Sequence, residues 1–273
     1  MTRTPTDDST LFTDPYRGLR VVVTGGGSGI GRAAAARFLE LGAQVAVIDL
    51  DPSGAPEGSV RVRADIADRA QVGQAVAECA QQLGGIDVVV NNAGISAVGD
   101  VTANDDEEWA RVLSINVTAI ARVSAAALPH LRRSGCASIV NMSSIAATAG
   151  LQERVLYSAT KGAVQAMTMA MATDHLADGI RVNCVNPGTV ATEFVDRMLQ
   201  NFPDPVAERK ALDARQPTGR MVTPQEVAET VVFLASPRNT STTGTSLAVD
   251  GGMHGLRARP RPASPSNQES RTR

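Results

Sequence analysis

Tyr157 and Lys161 stand four residues apart, and Ser144 precedes the tyrosine by thirteen. A four-residue spacing puts two side chains on one face of a helix. A free tyrosine titrates near about 10, too high for a proton carrier at neutral pH. A cation within about 4–6 Å lowers such a group by roughly 1–3 units. Lys161 supplies that cation, and the Ser144 hydroxyl can hold a substrate oxygen while charge develops on it. Together these residue types suit a reaction in which a hydride joins or leaves carbon while a proton joins or leaves oxygen. A lone Y-x-x-x-K is weak evidence, but this tyrosine is one of only two in the chain. Asn116, in the segment SINVTA, has two readings that the sequence leaves open. It steadies a water linking Lys161 to solvent, or it is a buried asparagine satisfied by backbone.

A hydride acceptor needs a seat, and the run Thr24-Gly25-Gly26-Gly27-Ser28-Gly29-Ile30-Gly31 offers one. It follows an apolar strand-length run and opens a helix-length one. A glycine-rich turn there lets backbone N–H groups approach a pyrophosphate, and the helix N-terminus adds partial positive charge. Gly25 makes the tight turn, Gly29 permits close approach, and Gly31 lets the helix pack on the sheet. The spacing is G-x-x-x-G-x-G, not the strict G-x-G-x-x-G. Asp49 ends the second strand, where a carboxylate accepts hydrogen bonds from adenosine ribose hydroxyls. Against a 2′-phosphate it would cost on the order of 4 kcal/mol at about 4 Å and an effective dielectric near 20. The expected cofactor is therefore NAD over NADP, with Arg32 the nearby cation and more naturally a solvent-facing one. Asp65 and the Ile66 backbone follow the third strand, at the adenine end, and Asp68 is the expected helix cap that leaves Asp65 free. Asn91-Asn92-Ala93-Gly94 closes the fourth strand. Asn and Gly there are turn formers in any protein, and the small residues Asn92, Ala93 and Gly94 also leave room for a nicotinamide ribose.

Alternating elements must position these residues. Strand-length apolar runs lie at 20–24, 44–49, 60–63, 86–90, 137–142, 180–185 and 245–249. Helix-length amphipathic runs lie at 29–41, 68–82, 107–133, 157–177 and 224–235. Strand alternating with helix predicts an α/β fold with a parallel, doubly wound sheet covered on both faces. Ligands then bind at the C-terminal ends of the strands, where Ser144, Tyr157 and the glycine turn all fall. The expected organisation is a flexible segment 1–17, one domain over 18–256 with a lid at about 189–220, and an unstructured tail over 257–273. That tail holds five arginines, three prolines and three serines in seventeen residues.

Composition narrows the function classes. A net charge of −2 and 3% aromatics give no basis for a nucleic-acid partner. Cys79, Cys136 and Cys184 are odd in number and unpaired in spacing, and His130, His175 and His254 show no ligand pattern, so no metal is expected. Reduced thiols, no signal pattern and no run of eighteen apolar residues predict a cytoplasmic protein without a membrane partner.

The sequence is identified as resembling the compact, classical short-chain dehydrogenase/reductase family. The matching elements run from residue 20 to about 252: TGGGSGIG at 24–31, Asp49, Asp65, NNAG at 91–94, Asn116, Ser144, Tyr157, Lys161, Asn186-Pro187-Gly188-Thr189 and Val249-Asp250-Gly251-Gly252. The resemblance implies a single-domain, seven-stranded Rossmann fold, a Ser-Tyr-Lys-Asn tetrad, no catalytic metal and a homotetramer. It assigns Ser28 and Ile30 to the cofactor turn, and Tyr157 and Lys161 to both catalysis and cofactor contact. It further implies that Pro187 and Gly188 contact the nicotinamide side, and that Thr189, Thr192 and the Val190 backbone hold its carboxamide. Relatives that prefer NADP carry a basic residue where Ser28 stands, which agrees with Asp49.

Substrate should meet the segments after strands four, five and six: Ile95 to Val98 with Ser96, Ala146 to Arg154, and the lid beginning at Thr189. Arg154 lies between Ser144 and Tyr157, and a guanidinium matches a carboxylate bidentately; an ordinary surface arginine is the plainer reading. The segments GTVATEF and ARQPTGRM are similar to dehydrogenases of hydroxybutyrate, L-fucose and 2-keto-3-deoxy sugar acids. The expected substrate is a small secondary alcohol or ketone: a sugar, sugar acid or hydroxy acid. The rivals are a 3-oxoacyl-(acyl-carrier-protein) reductase, a steroid or xenobiotic carbinol dehydrogenase, and an NAD-binding regulatory protein without catalysis.

Overall fold

The computed structural model describes residues 15–200 and 202–257. Seven strands form one parallel sheet in the order β3-β2-β1-β4-β5-β6-β7. They are β1 (Arg20–Thr24), β2 (Gln44–Asp49), β3 (Val60–Arg63), β4 (Val88–Asn91), β5 (Ser138–Met142), β6 (Arg181–Pro187) and β7 (Ser246–Val249). The central strands β1, β4, β5 and β6 are buried on both faces, as their near-continuous Val and Ile runs require. The order reverses between β1 and β4, so a crevice opens at their C-terminal ends. On one face α1 (Gly29–Glu40) packs against α8 (Pro224–Ala235), around Phe38, Val227 and Val231. On the other, α2 (Arg69–Leu83) packs against α4 (Ala119–Leu131), around Val72, Val76, Val123 and Leu131. α5 (Val155–Asp174) follows β5 and packs on β6.

The expected long helix at 107–133 is not regular. It is α3 (Asp106–Leu113), a π-helical turn over Ser114–Thr118, then α4. The whole run Asp106–Leu131 is apolar and long enough to cross a membrane by composition. Its Val112, Asn116, Ile120, Val123 and Leu131 are instead buried in the core. β6 extends two residues beyond the expected end, through Pro187, where only β7 still lies alongside. Proline is tolerated there because a ladder donor is not needed on both sides.

Tyr16 corrects the expectation of a mobile start through residue 17. Its hydroxyl donates to the Val232 carbonyl at 3.1 Å, and its ring meets Phe38 edge-on at 6.3 Å. The remainder of the expected flexible segment, residues 1–14, and residues 258–273 of the expected tail lie outside the described residues. The segment expected as a lid folds as α6 (Glu193–Leu199) and α7 (Pro205–Ala214), joined by a small apolar cluster of Leu199, Leu212 and Met221.

Candidate active site

The glycine turn leaves β1 and enters α1 with Gly25 at φ +68° and Gly29 at φ +52°, conformations that L side chains rarely adopt. Thr24 and Asn92 build this turn from opposite sides. The Thr24 hydroxyl accepts from the Asn92 and Ala93 N–H groups, both at 3.1 Å. The Asn92 amide donates to the carbonyls of Thr24 at 3.0 Å and Gly25 at 3.1 Å. A Cβ on Gly31 would collide with the Gly25 carbonyl and the Asn92 amide, so only glycine admits this bracing. Asn92 therefore shapes the turn with its side chain.

Whether a dinucleotide fits is answered at the start of α1. Ser28 occupies the N-cap position but makes no side-chain cap, whereas Asp68, Asp105, Thr192, Asp204 and Thr223 cap their helices. The first N–H groups of α1, those of Gly29, Ile30 and Gly31, thus lack a side-chain partner, which is the arrangement an anion needs. Thr192 sits over Gly29, 3.5 Å from where a Cβ would be, and Arg32 forms an ion pair with Glu193. Asp49 closes the other flank. Its carboxylate accepts from Gly27 N–H at 2.9 Å and Asp51 N–H at 3.1 Å, while remaining part-exposed beside the exposed Leu50. Asp68 caps α2 as expected, but Asp65 is not wholly free, since one oxygen accepts from Ala67 N–H at 2.8 Å. Ile66 is buried beside it. These residues fit an adenine nucleotide bound through backbone N–H groups and a ribose-facing carboxylate.

Ser144, Tyr157 and Lys161 meet at the C-terminal ends of β5 and β6. Ser144 begins the short 3-10 turn Ile145–Ala147, its hydroxyl accepting from Ala146 N–H at 3.1 Å. α5 starts two residues earlier than expected, which sets Tyr157 in its first turn. Lys161 is almost fully buried. Its ammonium donates to the Met142 carbonyl at 2.9 Å and lies 5.6 Å from the centre of the Tyr157 ring. Ser143 ties the same helix down by donating to the Lys161 carbonyl at 2.9 Å.

Burial pushes the Tyr157 phenol above its ordinary value, and the Ser144 hydroxyl and the Arg154 charge offset this in part. Burial pulls the Lys161 ammonium down to about 8. In the protein by itself, burial of Tyr157 outweighs the charges around it, before the oxidised nicotinamide expected to add to the Lys161 charge is considered. Both groups lose hydration, and desolvation favours the neutral form of each.

The Asn116 side chain is buried and hydrogen-bonded. Its Oδ1 accepts from Ile95 N–H at 2.8 Å, and its Nδ2 donates to the Ile95 carbonyl at 2.9 Å and the Thr160 hydroxyl at 3.2 Å. Both amide hydrogens are occupied, so the side chain clamps the loop after β4. Gly94 leaves the space that Asn116 Oδ1 and Lys161 Nζ both face, at 3.1 and 3.7 Å from a hypothetical Cβ. At the end of β6, Gly188 N–H donates to Val249 and Gly188 packs against Gln216 and Asp250. Val190 is buried and bridges to Val222, with Thr189 half-buried beside it.

Two of the segments expected to face substrate are joined to one another. Gly99 pairs with Glu153 and Val155 through backbone hydrogen bonds of 2.9 and 3.4 Å. Glu153 adopts φ +54°, the one described non-glycine residue in that region. Arg154 follows it, half-buried, and donates to the Glu153 carbonyl at 2.8 Å; it has no carboxylate partner among the described residues. Ser96 is exposed on the neighbouring loop. Tyr157 shares an apolar cluster with Ile95, Trp109 and Leu156. The bonding roles of Thr24, Thr160, Gln216 and the Met142 carbonyl escaped the sequence reading, because no local pattern marks a residue whose partners lie distant in the chain. No group of acidic, His or Cys side chains capable of holding a metal occurs among the described residues.

Residues 25–254 match a family model described as enoyl-(acyl carrier protein) reductase. The chain is 37% identical over 244 residues to 2-(S)-hydroxypropyl-CoM dehydrogenase 3 of Xanthobacter autotrophicus, covering 85% of this chain and 95% of that protein. It is 38% identical over 244 residues to L-fucose dehydrogenase of Bos taurus, covering 87% and 90%. Among solved structures, the ligand-free aldohexose dehydrogenase of Thermoplasma acidophilum superposes with a TM-score of 0.85 at 32% identity, covering 92% of this chain and 99% of that one. The family model spanning residues 25–254, and relatives 37–38% identical over most of the chain, make this chain a member of the short-chain dehydrogenase/reductase family, an oxidoreductase acting on CH–OH groups.

Proposed function

We propose that the chain is an NAD-dependent dehydrogenase of small secondary alcohols that carry an acidic group, such as a sugar acid or hydroxy acid, with Tyr157 as the general acid/base. One observation carries this reading: the Tyr157, Ser144 and Lys161 side chains converge at the same sheet edge as the uncapped start of α1. The nicotinamide supplies the hydride acceptor and, when oxidised, a positive charge near these residues. Gly29, Ile30 and Gly31 bind the pyrophosphate through backbone N–H groups, and Asp49 takes the ribose hydroxyls. Pro187, Gly188, Thr189, Val190 and Thr192 flank the nicotinamide end. Ser144 orients the substrate hydroxyl, Tyr157 takes its proton at Oη, and Lys161 keeps positive charge beside the phenolate. Asn116 contributes by fixing the Ile95 backbone.

Arg154 supports the acidic substrate. It is a cation without a carboxylate partner among the described residues, its charge reaches Tyr157, and it sits on the loop tied to Gly99. Asp49 speaks against an NADPH-dependent acyl-carrier reductase. The exposed Phe233 and Leu247, on α8 and the edge strand β7, support association into the homotetramer. The free thiols of Cys79, Cys136 and Cys184 agree with a reducing compartment such as the cytoplasm.

The test is a screen of sugar acids, hydroxy acids and neutral secondary alcohols with NAD, read as reduced cofactor. Tyr157→Phe should abolish turnover and keep NAD binding. Arg154→Met should raise KM for an acidic substrate by roughly 10- to 100-fold, the weight of a charge-assisted hydrogen bond of about 1.5–3 kcal/mol, and leave a neutral alcohol little changed. Turnover by Tyr157→Phe would overturn the acid/base assignment, and an unchanged KM ratio would remove the anion seat.

A further inference from the structure

Thr160 is completely buried one residue before Lys161, and its hydroxyl makes two hydrogen bonds. It donates to the Tyr157 carbonyl at 2.8 Å and accepts from Asn116 Nδ2 at 3.2 Å. A threonine bonding back to the preceding turn is common in helices. The second bond is different, because it comes from the π-helical turn between α3 and α4, 44 residues earlier. Asn116 in turn holds both backbone groups of Ile95, and Ile95 packs in the same apolar cluster as Tyr157. The hydrogen bonds form a chain, Ile95 to Asn116 to Thr160 to Tyr157, whose two ends pack on the same apolar cluster. It joins the loop after β4, the π turn and the first turn of α5.

We propose that Thr160 is a positioning residue, whose hydroxyl sets the register of Tyr157 against the loop after β4. This rests on the reading of Tyr157 as acid/base. Without the hydroxyl, one Asn116 N–H is left buried and unpartnered, and only the backbone bonds of Gly99 to Glu153 and Val155 still tie the start of α5 to the loop after β4. Tyr157 then drifts relative to Ser144 and to the two cations that bear on it, Lys161 from its own helix and Arg154 from the loop before it. A misplacement of about 1 Å at a reacting group costs up to about a hundredfold in rate.

Thr160→Val keeps the branched shape and deletes the hydroxyl, whereas Thr160→Ser keeps the hydroxyl. Both are compared with the wild-type enzyme in kcat, in KM for NAD and in the pH dependence of alcohol oxidation. Thr160→Val should lower kcat at least about tenfold, leave KM for NAD within about twofold, and move the rising limb of the pH profile to higher pH. Thr160→Ser should recover most of the lost kcat and restore the profile. The proposal is overturned if Thr160→Val keeps kcat and the profile, or if Thr160→Ser loses as much as Thr160→Val. If the valine variant does not fold, Thr160→Ala makes the same deletion with less crowding and is read by the same criteria. Tyr157→Phe is run in parallel. Turnover by that variant refutes the acid/base reading itself, whereas its inactivity beside an unaffected Thr160→Val refutes only the role of Thr160.

Discussion

Replacing Gly31 by alanine probes the glycine turn where it is tightest. A Cβ there would stand 2.8 Å from the Gly25 carbonyl carbon, and closer still to its oxygen and to the Asn92 amide, against 3.4–4 Å for ordinary contact. The start of α1 must therefore retreat by more than about half an ångström, and overpacking of this kind costs about 1–3 kcal/mol. The Asn92 bond to the Gly25 carbonyl is lost with it, about 0.5–1.5 kcal/mol more. Better helix propensity returns up to about 1 kcal/mol. The net is roughly 2–3 kcal/mol, or a fall in melting temperature of about 5–10 °C for a chain of this size. Because the same N–H groups form the anion seat, the Kd for NAD should rise by at least about tenfold. Gly73→Ala is the control. It lies in α2 with nothing within 4 Å of the added Cβ, so it should stabilise the protein by about 0.5–1 kcal/mol and leave NAD binding alone. Differential scanning fluorimetry and NAD titration read both. A Gly31→Ala protein with unchanged melting temperature and NAD affinity would refute the argument from close approach.

Three further outcomes follow from the same geometry. Lys161 titrates near 8 in the folded protein, below its ordinary value of 10.5, so the unfolded chain binds the extra proton between those values and stability contributed by this site rises with pH across that window. Tyr157, raised in the fold, acts in the opposite sense above about 10. The melting temperature of the wild type minus that of Lys161→Met should therefore climb from pH 8 to about pH 10, and a flat or falling difference would refute the buried-ammonium account. Asp49→Asn removes the charge set against a 2′-phosphate and should shift the NAD-to-NADP ratio of kcat/KM toward NADP by at least about tenfold, part of the roughly 4 kcal/mol at stake; an unmoved ratio would mean that Asp49 does not select. Arg181 is buried and donates to the carbonyls of Leu234, Ala235 and Ser236 at 2.6, 3.4 and 3.1 Å, closing the C-terminal end of α8. Arg181→Met should lower stability by about 2–4 kcal/mol, seen in urea unfolding, while kcat in native conditions stays within about twofold.

Much of the site was legible because it is local. The seven strand runs, the glycine turn from Gly25 to Gly31, Asp49 at a strand end, and Tyr157 with Lys161 one helical turn apart are properties of a few consecutive residues. Period, spacing and glycine content carry them without any knowledge of the fold. The π turn was not legible, since a one-residue change of helical pitch leaves the apolar pattern of 107–133 intact. Nor was Tyr16 as an anchor, because its partners Phe38 and Val232 are brought to it only by α1 and α8.

The sequence by itself determined which side chains are the candidates for the chemistry, and that they lie at strand ends of one parallel sheet. Only the tertiary structure decided what each of them is bonded to. Asn92 and Gly31 share one carbonyl because β4 lies beside β1. Lys161 meets Met142, and Asn116 meets Ile95 and Thr160, across 19, 21 and 44 residues of chain. Local propensity cannot encode such pairs. They form because the sheet order buries these polar groups, and a buried polar group must find whatever partner the packing brings within reach.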